Sequence, residues 1–395
     1  MKFNKYILGD VVDIRSSKRV YFKDYVEKGI PFYRSKEIIL RSKGMNIDNP
    51  LYISQEKFDE LKNKYGVPKE NDILLTSVGT IGIPYLVKKS DEFYFKDGNL
   101  TWFSNFSKDI APRYLLYWFQ SEIGKKAIDN IVIGSTQKAL TMVQLKKINI
   151  ELPSIDIQKK IINIINSLDS KIELNNQMIA TLEELAATLF KRWFVDFEFP
   201  DENGNPYKSS GGKMVDSELG EIPEGWSTTT LGSQVSFEYG KSLTKSQRNF
   251  GTIPVYGSNG IVDYHDKELV SGPGIIIGRK GTVGTVNFSS KDFFPIDTTF
   301  WVKILTDTKP INYFYFLLKN LNLDNLTSDS AVPGLNRNTA LRTEIVVPTE
   351  RIINHFERTV ETFRYLSDEI EDNIGLLGDV RDSLLPKILS GEIEV

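Results

Sequence analysis

Apolar residues recur along this chain at heptad spacing, and they do so twice. Ile161, Leu168, Asn175, Leu182 and Leu189 fall every seven positions, and Ile165, Ile172, Ile179, Ala186 and Trp193 each follow four positions later. Moved on by 195 residues, Phe356, Phe363, Ile370, Leu377 and Leu384 take the first set, and Val360, Ser367, Ile374, Arg381 and Ile388 the second. A seam held for about five heptads predicts a long helix that buries one stripe against another helix. The polar breaks at Asn175, Ser367 and Arg381 favour a coiled coil over an ordinary core stripe. The helix starts are also alike: ELPSIDIQKKI (Glu151 to Ile161) and VVPTERIINHF (Val346 to Phe356), with Pro153 and Pro348 stopping whatever precedes. Each helix, at about 38 residues and about 1.5 Å per residue, would span about 57 Å. Two such seams can bury each other, and the chain between them makes an antiparallel pair the natural arrangement.

The segments ahead of each helix repeat as well. LGDVVDI (Leu8 to Ile14) pairs with LGSQVSF (Leu231 to Phe237), and IPFYRS (Ile30 to Ser35) with IPVYGS (Ile253 to Ser258), both at an offset of 223. DILLTSVGTIG (Asp72 to Gly82) pairs with GIIIGRKGTVG (Gly274 to Gly284) at 202, and Trp102 with Trp301 at 199. The falling offset means shorter loops in the second copy, mostly between Tyr33 and Asp72. Short apolar runs at 72–77, 100–103, 274–277 and 299–304 predict strands, and the aromatic-rich 113–120 and 311–319 predict core helices. The Gly-, Pro-, Asn- and Ser-dense stretch 197–225 predicts a linker. The expected class is therefore α/β (α+β). Two similar mixed α/β modules, 1–150 and 226–345, are each followed by a long helix, 151–196 and 346–395, and the two helices form an antiparallel coiled coil.

Composition narrows the class and points to partners. The absence of Cys excludes disulfides and thiolate metal sites, which suits a reducing cytoplasm. MKFNKYILGDVVDI has no apolar leader core, and no run of apolar residues is long enough to span a membrane, so no membrane association is expected. The net charge of −3 is unevenly distributed. Residues 1–150 carry 25 Lys and Arg against 17 Asp and Glu, and 231–345 carry 12 against 10. Residues 151–200 carry 5 against 8, and 346–395 carry 5 against 11. Basic modules and acidic helices suit an anionic partner at the modules and protein partners at the helices.

Catalytic motifs are missing. No phosphate-binding loop and no dinucleotide-binding glycine pattern occurs. Asn205-Pro206-Tyr207 has only a faint likeness to the loop of amino-methyltransferases, and the 201–205 stretch fails the EF-hand spacing. His265 and His355 are isolated, so no catalytic and no metal-binding residue is expected. What does recur is a Gly-Thr-x-Gly turn after a strand, at Gly79–Gly82 and Gly281–Gly284. Arg279 and Lys280 precede the second turn, and an arginine can grip a guanine edge through two hydrogen bonds.

LGEIPEGWSTTTLG (Leu219 to Gly232), ATLFKRWFVDFEF (Ala187 to Phe199) and RDSLLPKILSGEI (Arg381 to Ile393) resemble signatures of the specificity (S) subunits of Type I restriction–modification systems. The turns at Ile133 to Leu140 and Pro333 to Asn336 extend the resemblance over nearly the whole chain. The resemblance implies two target-recognition domains, each reading one half of a bipartite, asymmetric site in double-stranded DNA. It also implies two spacer helices that dock two methyltransferase subunits and, through them, endonuclease/translocase subunits. It implies no active site and no cofactor here; S-adenosylmethionine, ATP and Mg would belong to the partners. Two departures stand out. The first copy lacks an IPEGW-like start, and Ser77 stands where the second copy has Arg279.

On this reading the DNA-facing candidates are Arg34, Ser35, Lys36, Thr76, Ser77, Thr80, Gln137 and Lys138 in the first module. In the second they are Tyr256, Ser258, Asn259, Arg279, Lys280, Thr282, Asn336 and Arg337. The alternatives are a coiled-coil adaptor with two non-DNA modules and a single-chain DNA methyltransferase. The basic bias of residues 1–150 speaks against the first, and the missing nucleotide fold against the second.

Overall fold

Residues 2–45, 47, 49–132, 139–326 and 334–395 are described by the structure, a computed structural model. They divide into two units, Met1–Leu174 with Asn373–Val395, and Asn175–Asp372.

In the first unit the buried run Ile73–Thr76 lies inside an antiparallel sheet of spatial order Asp13–Arg15, Leu100–Ser104, Ile73–Thr76, Pro84–Leu86. A strand covered on both faces needs continuous apolar side chains, which is why ILLT does not alternate. A second sheet holds Tyr25–Val26, Leu51–Ile53, Ile30–Tyr33 and Tyr94–Phe95, the last two parallel. A two-stranded ribbon of Asn4–Ile7 with Asn149–Leu152 brings the ends of the module together just before the first long helix.

The second unit repeats this plan. Val235–Tyr239, Thr299–Ile304, Gly274–Gly278 and Val286–Ser289 form the antiparallel sheet in that order. Gly260–His265, Ile253–Gly257 and Phe294–Pro295 form the second sheet, again with one parallel pair, and Ser227–Thr230 with Glu344–Val347 form the ribbon. Registers agree to the residue: Trp102 faces Leu74 and Arg15, and Trp301 faces Ile276 and Glu238. The loss of offset has a structural source. The first module adds helices Ser35–Ser42 and Gln55–Tyr65 on either side of Leu51–Ile53, the strand that pairs with Ile30–Tyr33 as Gly260–His265 pairs with Ile253–Gly257.

The long helices run Ile155–Phe190, continued by a π turn at Lys191–Val195, and Glu350–Leu389. None of the twenty heptad positions is exposed. Within the first unit Ile161 and Ile165 share a core with Leu385, Ile388 and Leu389. There Arg381 Nη1 meets Asp169 Oδ1 at 3.1 Å. Within the second unit Phe190 lies against Phe356, Trp193 against His355, and Arg364 pairs with Glu183. Residue numbers rise on one helix as they fall on the other, so the two segments in this unit are antiparallel. Asp169 and Arg364 hold corresponding positions on the two helices, 195 apart, yet carry opposite charge.

The stretch 197–225 is folded and not a free linker. It contains the hairpin Met214–Ser217/Gly220–Pro223, and Phe199 stacks between Tyr207 and Trp226 at 4.5 and 5.1 Å. Its turn residues do form turns; its aromatic residues bind those turns to the core.

Glu183 yields a pH prediction. Burial pushes its carboxyl up, but Arg364, the Tyr315 hydroxyl and Lys319 outweigh this and hold it below the usual carboxylate value. A lowered folded pKa means stability present above the unfolded value and lost as pH falls through the folded one. Glu183→Gln should therefore cost stability at neutral pH and flatten the acid limb below about pH 4.5. Urea midpoints at pH 7 and pH 4 would show the wild-type difference shrinking in the variant.

Candidate nucleic-acid interface

The repeated glycine turns need backbone that other residues resist. Gly79, Gly82, Gly281 and Gly284 have φ of +80°, +83°, +81° and +78°. At Gly284 an added Cβ would also lie 2.3 Å from the Asp324 amide nitrogen. Gly284→Ala should thus destabilise the turn by about 1–3 kcal/mol, seen as a lower thermal midpoint; Gly79→Ala, with open space around it, should cost less.

Around each turn the main chain bonds alike. Ser77 N–H donates to the Asn99 carbonyl at 2.8 Å and Arg279 N–H to the Thr298 carbonyl at 2.9 Å. Leu140 N–H donates to the Ser77 carbonyl and Leu335 N–H to the Arg279 carbonyl. Thr141 and Asn336 then each cap a short helix, Met142–Leu145 and Arg337–Leu341. Ser77 and Arg279 are therefore structural equivalents, as are Ser16 and Tyr239, Thr101 and Phe300, and Met142 and Arg337.

The side chains at this shared edge differ. In the second module the Arg279 guanidinium lies 5.0 Å from the Tyr239 ring centroid and 5.8 Å from that of Phe300. The Arg337 guanidinium lies 5.7 Å from the same Tyr239 ring. Arg279 Nη1 donates to the Asp297 carbonyl at 3.0 Å, and Arg337 stands 4.0 Å from Glu238. Stacking on an aromatic face restrains each guanidinium while leaving hydrogen-bonding edges available. Ser258 joins them, with its Oγ 3.1 Å from the Cβ position of Gly281. Asn259, Lys280 and Thr282 are exposed on the adjoining loops. Asn336 is exposed too, but its side-chain oxygen is engaged by the Asn338 and Thr339 amides.

In the first module the matching place is a pocket of about 300 Å³ lined by Ser16, Ser77, Thr101, Leu140, Met142 and Val143, with Gly98, Leu100 and Thr141. Ser77 is its floor: only 2% exposed, with Oγ 2.7 Å from Thr101 Oγ1. Ser35 approaches the same edge, bonding the Asn99 carbonyl at 3.2 Å.

Several expected contacts need correction. Thr76 is fully buried and its hydroxyl accepts the Ile83 amide at 2.9 Å, so it shapes the turn and faces nothing outside. Tyr256 is buried, with its hydroxyl donating to the Phe288 carbonyl at 3.3 Å. Both fall on inward positions of strand ends. Ser77, 2% exposed, cannot make the outward contact of an exposed side chain; it lines the pocket instead. Arg34 is tied to Glu37 as a helix cap, Nη2 to Oε1 at 2.7 Å, while Lys36 and Thr80 are exposed. Gln137 and Lys138 lie outside the described residues. Tyr239, Phe300, Ser16, Thr101 and Met142 went unnoticed in sequence, although the offsets of 223, 199 and 195 pair them. Among the described residues no group of acidic, His or Cys side chains could hold a metal ion, and no helix is long and apolar enough to cross a membrane.

Comparison with known proteins gives this edge its context. A family model described as the Type I restriction modification DNA specificity domain matches residues 2–184 and 223–371. The Type I restriction enzyme HindI specificity subunit of Haemophilus influenzae is 26% identical over 341 residues, covering 66% of this chain and 72% of that protein. The MjaIX specificity subunit of Methanocaldococcus jannaschii is 26% identical over 314 residues, covering 72% and 70%. The crystal structure of a Type I restriction–modification S subunit from M. genitalium shares the fold, with a TM-score of 0.54 at 17% identity over 98% of this chain and 96% of that one. The family model falls once on each repeat, together most of the chain, and so this protein belongs to the DNA specificity-domain family of Type I restriction–modification systems.

Proposed function

We propose that the chain supplies DNA sequence specificity to a Type I restriction–modification complex, each module reading one half of a bipartite, asymmetric site. The observation that carries this is one sheet edge, built twice with matched main-chain bonds and furnished with different side chains. Matched edges with different side chains suit two unlike half-sites. Lysines and arginines of the basic modules would contact phosphates and set position, and the edge would contact bases. The chain has no catalytic role in this reading. Methyl transfer with S-adenosylmethionine, and cleavage with ATP and Mg, fall to two methyltransferase and further endonuclease/translocase subunits in the cytoplasm. The acidic long helices are the surfaces for those partners.

DNA affinity of the complex with its methyltransferase partner, measured against salt, tests the DNA reading. Phosphate neutralisation predicts a steep linear fall of log affinity with log salt concentration; a flat dependence would refute it. Inserting one heptad in both long helices should lengthen the unread gap between the half-sites. A gap that stays fixed would remove the helices from any role as a spacer.

A further inference from the structure

We infer that the first-module pocket seats the thymine edge of an A·T pair, at the place where the second module presents its two arginines. This rests on the DNA reading above and names the base chemistry of each edge. The pocket walls are Ser16, Ser77, Thr101, Leu140, Met142 and Val143. Three of the matched side chains in the second module are Tyr239, Arg279 and Arg337. Where that module fills the space with aromatic ring and guanidinium, the first leaves about 300 Å³ open.

The chemistry of the walls selects the occupant. None of the six wall residues carries a charge, so nothing there favours a phosphate. Met142 and Val143, 41% and 63% exposed, form an apolar rim. The hydroxyls of Ser77 and Thr101 bond one another on the floor, at 2.7 Å. In the major groove, the thymine 5-methyl group is what distinguishes a base edge by apolar contact, whereas guanine offers the two acceptors that an arginine fork takes. The overall excess of basic residues in 1–150 supplies the attraction to DNA that this uncharged pocket lacks. The space exceeds a methyl group several-fold, so the base edge enters with its methyl. The two modules thus divide the bases between them at one structural position: A·T at the pocket and G·C at the stacked arginines.

Two measurements on the complex with its methyltransferase partner test this. The first replaces single thymines by deoxyuridine in the half-site read by the first module. Removal of one buried methyl should weaken binding about four-fold at one position, and Met142→Ala should abolish that difference. No four-fold step at any thymine of that half-site would overturn the inference. The second brings the other module's side chains into the pocket, as Ser77→Arg with Met142→Arg, and maps the methylated motif. One position of the first half should change from A·T to G·C by ten-fold or more in preference, with the second half unchanged. An unchanged first half from a variant that still methylates would also overturn it. Arg279→Ala separates the two levels. If it alters the second half while both first-module measurements fail, the pocket assignment falls and the DNA reading stands. If it too leaves the motif unchanged, the base assignments of both edges fall, and the salt dependence alone decides the DNA reading.

Discussion

Replacing Arg279 with alanine should erase the sequence requirement at one position of one half-site and leave the other half intact. Arg279 is held by ring contacts to Tyr239 and Phe300 and by one bond to the Asp297 carbonyl. Its backbone is fixed by the Thr298 carbonyl, so the guanidinium is presented from a rigid strand end. A well-placed arginine pair to guanine discriminates by about 1–3 kcal/mol, or about five- to 150-fold in the affinity ratio between right and wrong base. The variant should fold normally, because the side chain is a surface group that closes no core. Competition between DNAs differing at single base pairs would register the loss as a flattened preference in one half only. Equal loss across both halves would mean that Arg279 acts through phosphate or stability instead of through a base. Arg279→Lys should recover part of the affinity and little of the preference, since an ammonium lacks the planar fork.

Phe356→Ala should produce the largest loss of stability. Phe356 is fully buried and meets Phe190, Trp193, Phe194 and Phe316, with ring centroids between 5.1 and 6.2 Å. It joins both long helices to the second module's core helix Ile311–Asn320. Removal of a buried phenylalanine costs about 3–5 kcal/mol, part transfer and part cavity. The urea midpoint should fall sharply and the DNA motif should survive in whatever protein stays folded. Phe363→Ala, on the same heptad row but only half-buried, should cost visibly less.

The scaffold was legible in the sequence because its signals are periodic. Heptads marked the helices, and shared offsets marked the strands around Trp102 and Trp301. Those signals come from burial, which constrains side chains every two or every three to four residues. The reading edge was legible only in part. Arg279 and Arg337 stood out by charge, and the glycine turns by repetition. Thr76 and Tyr256 misled, because a polar residue at a strand end can turn inward and bond the main chain, and nothing in the local sequence records which way it points. The pocket was invisible for a different reason. It is made by what Ser16, Ser77 and Met142 fail to fill, and a space has no sequence signature. The 197–225 stretch shows the same limit: its glycines and prolines announce turns, while the stacking of Phe199 with Trp226 that folds it down is a tertiary contact.

The DNA target records both modules and the spacing between them. Mapping methylated adenines by sequencing genomic DNA from cells that carry this chain with its methyltransferase and endonuclease partners would reveal that target. The expected result is one split motif of two different half-sites at a fixed gap. A palindromic motif, two identical halves, a variable gap, or a continuous site would contradict two modules with unlike reading edges on one chain.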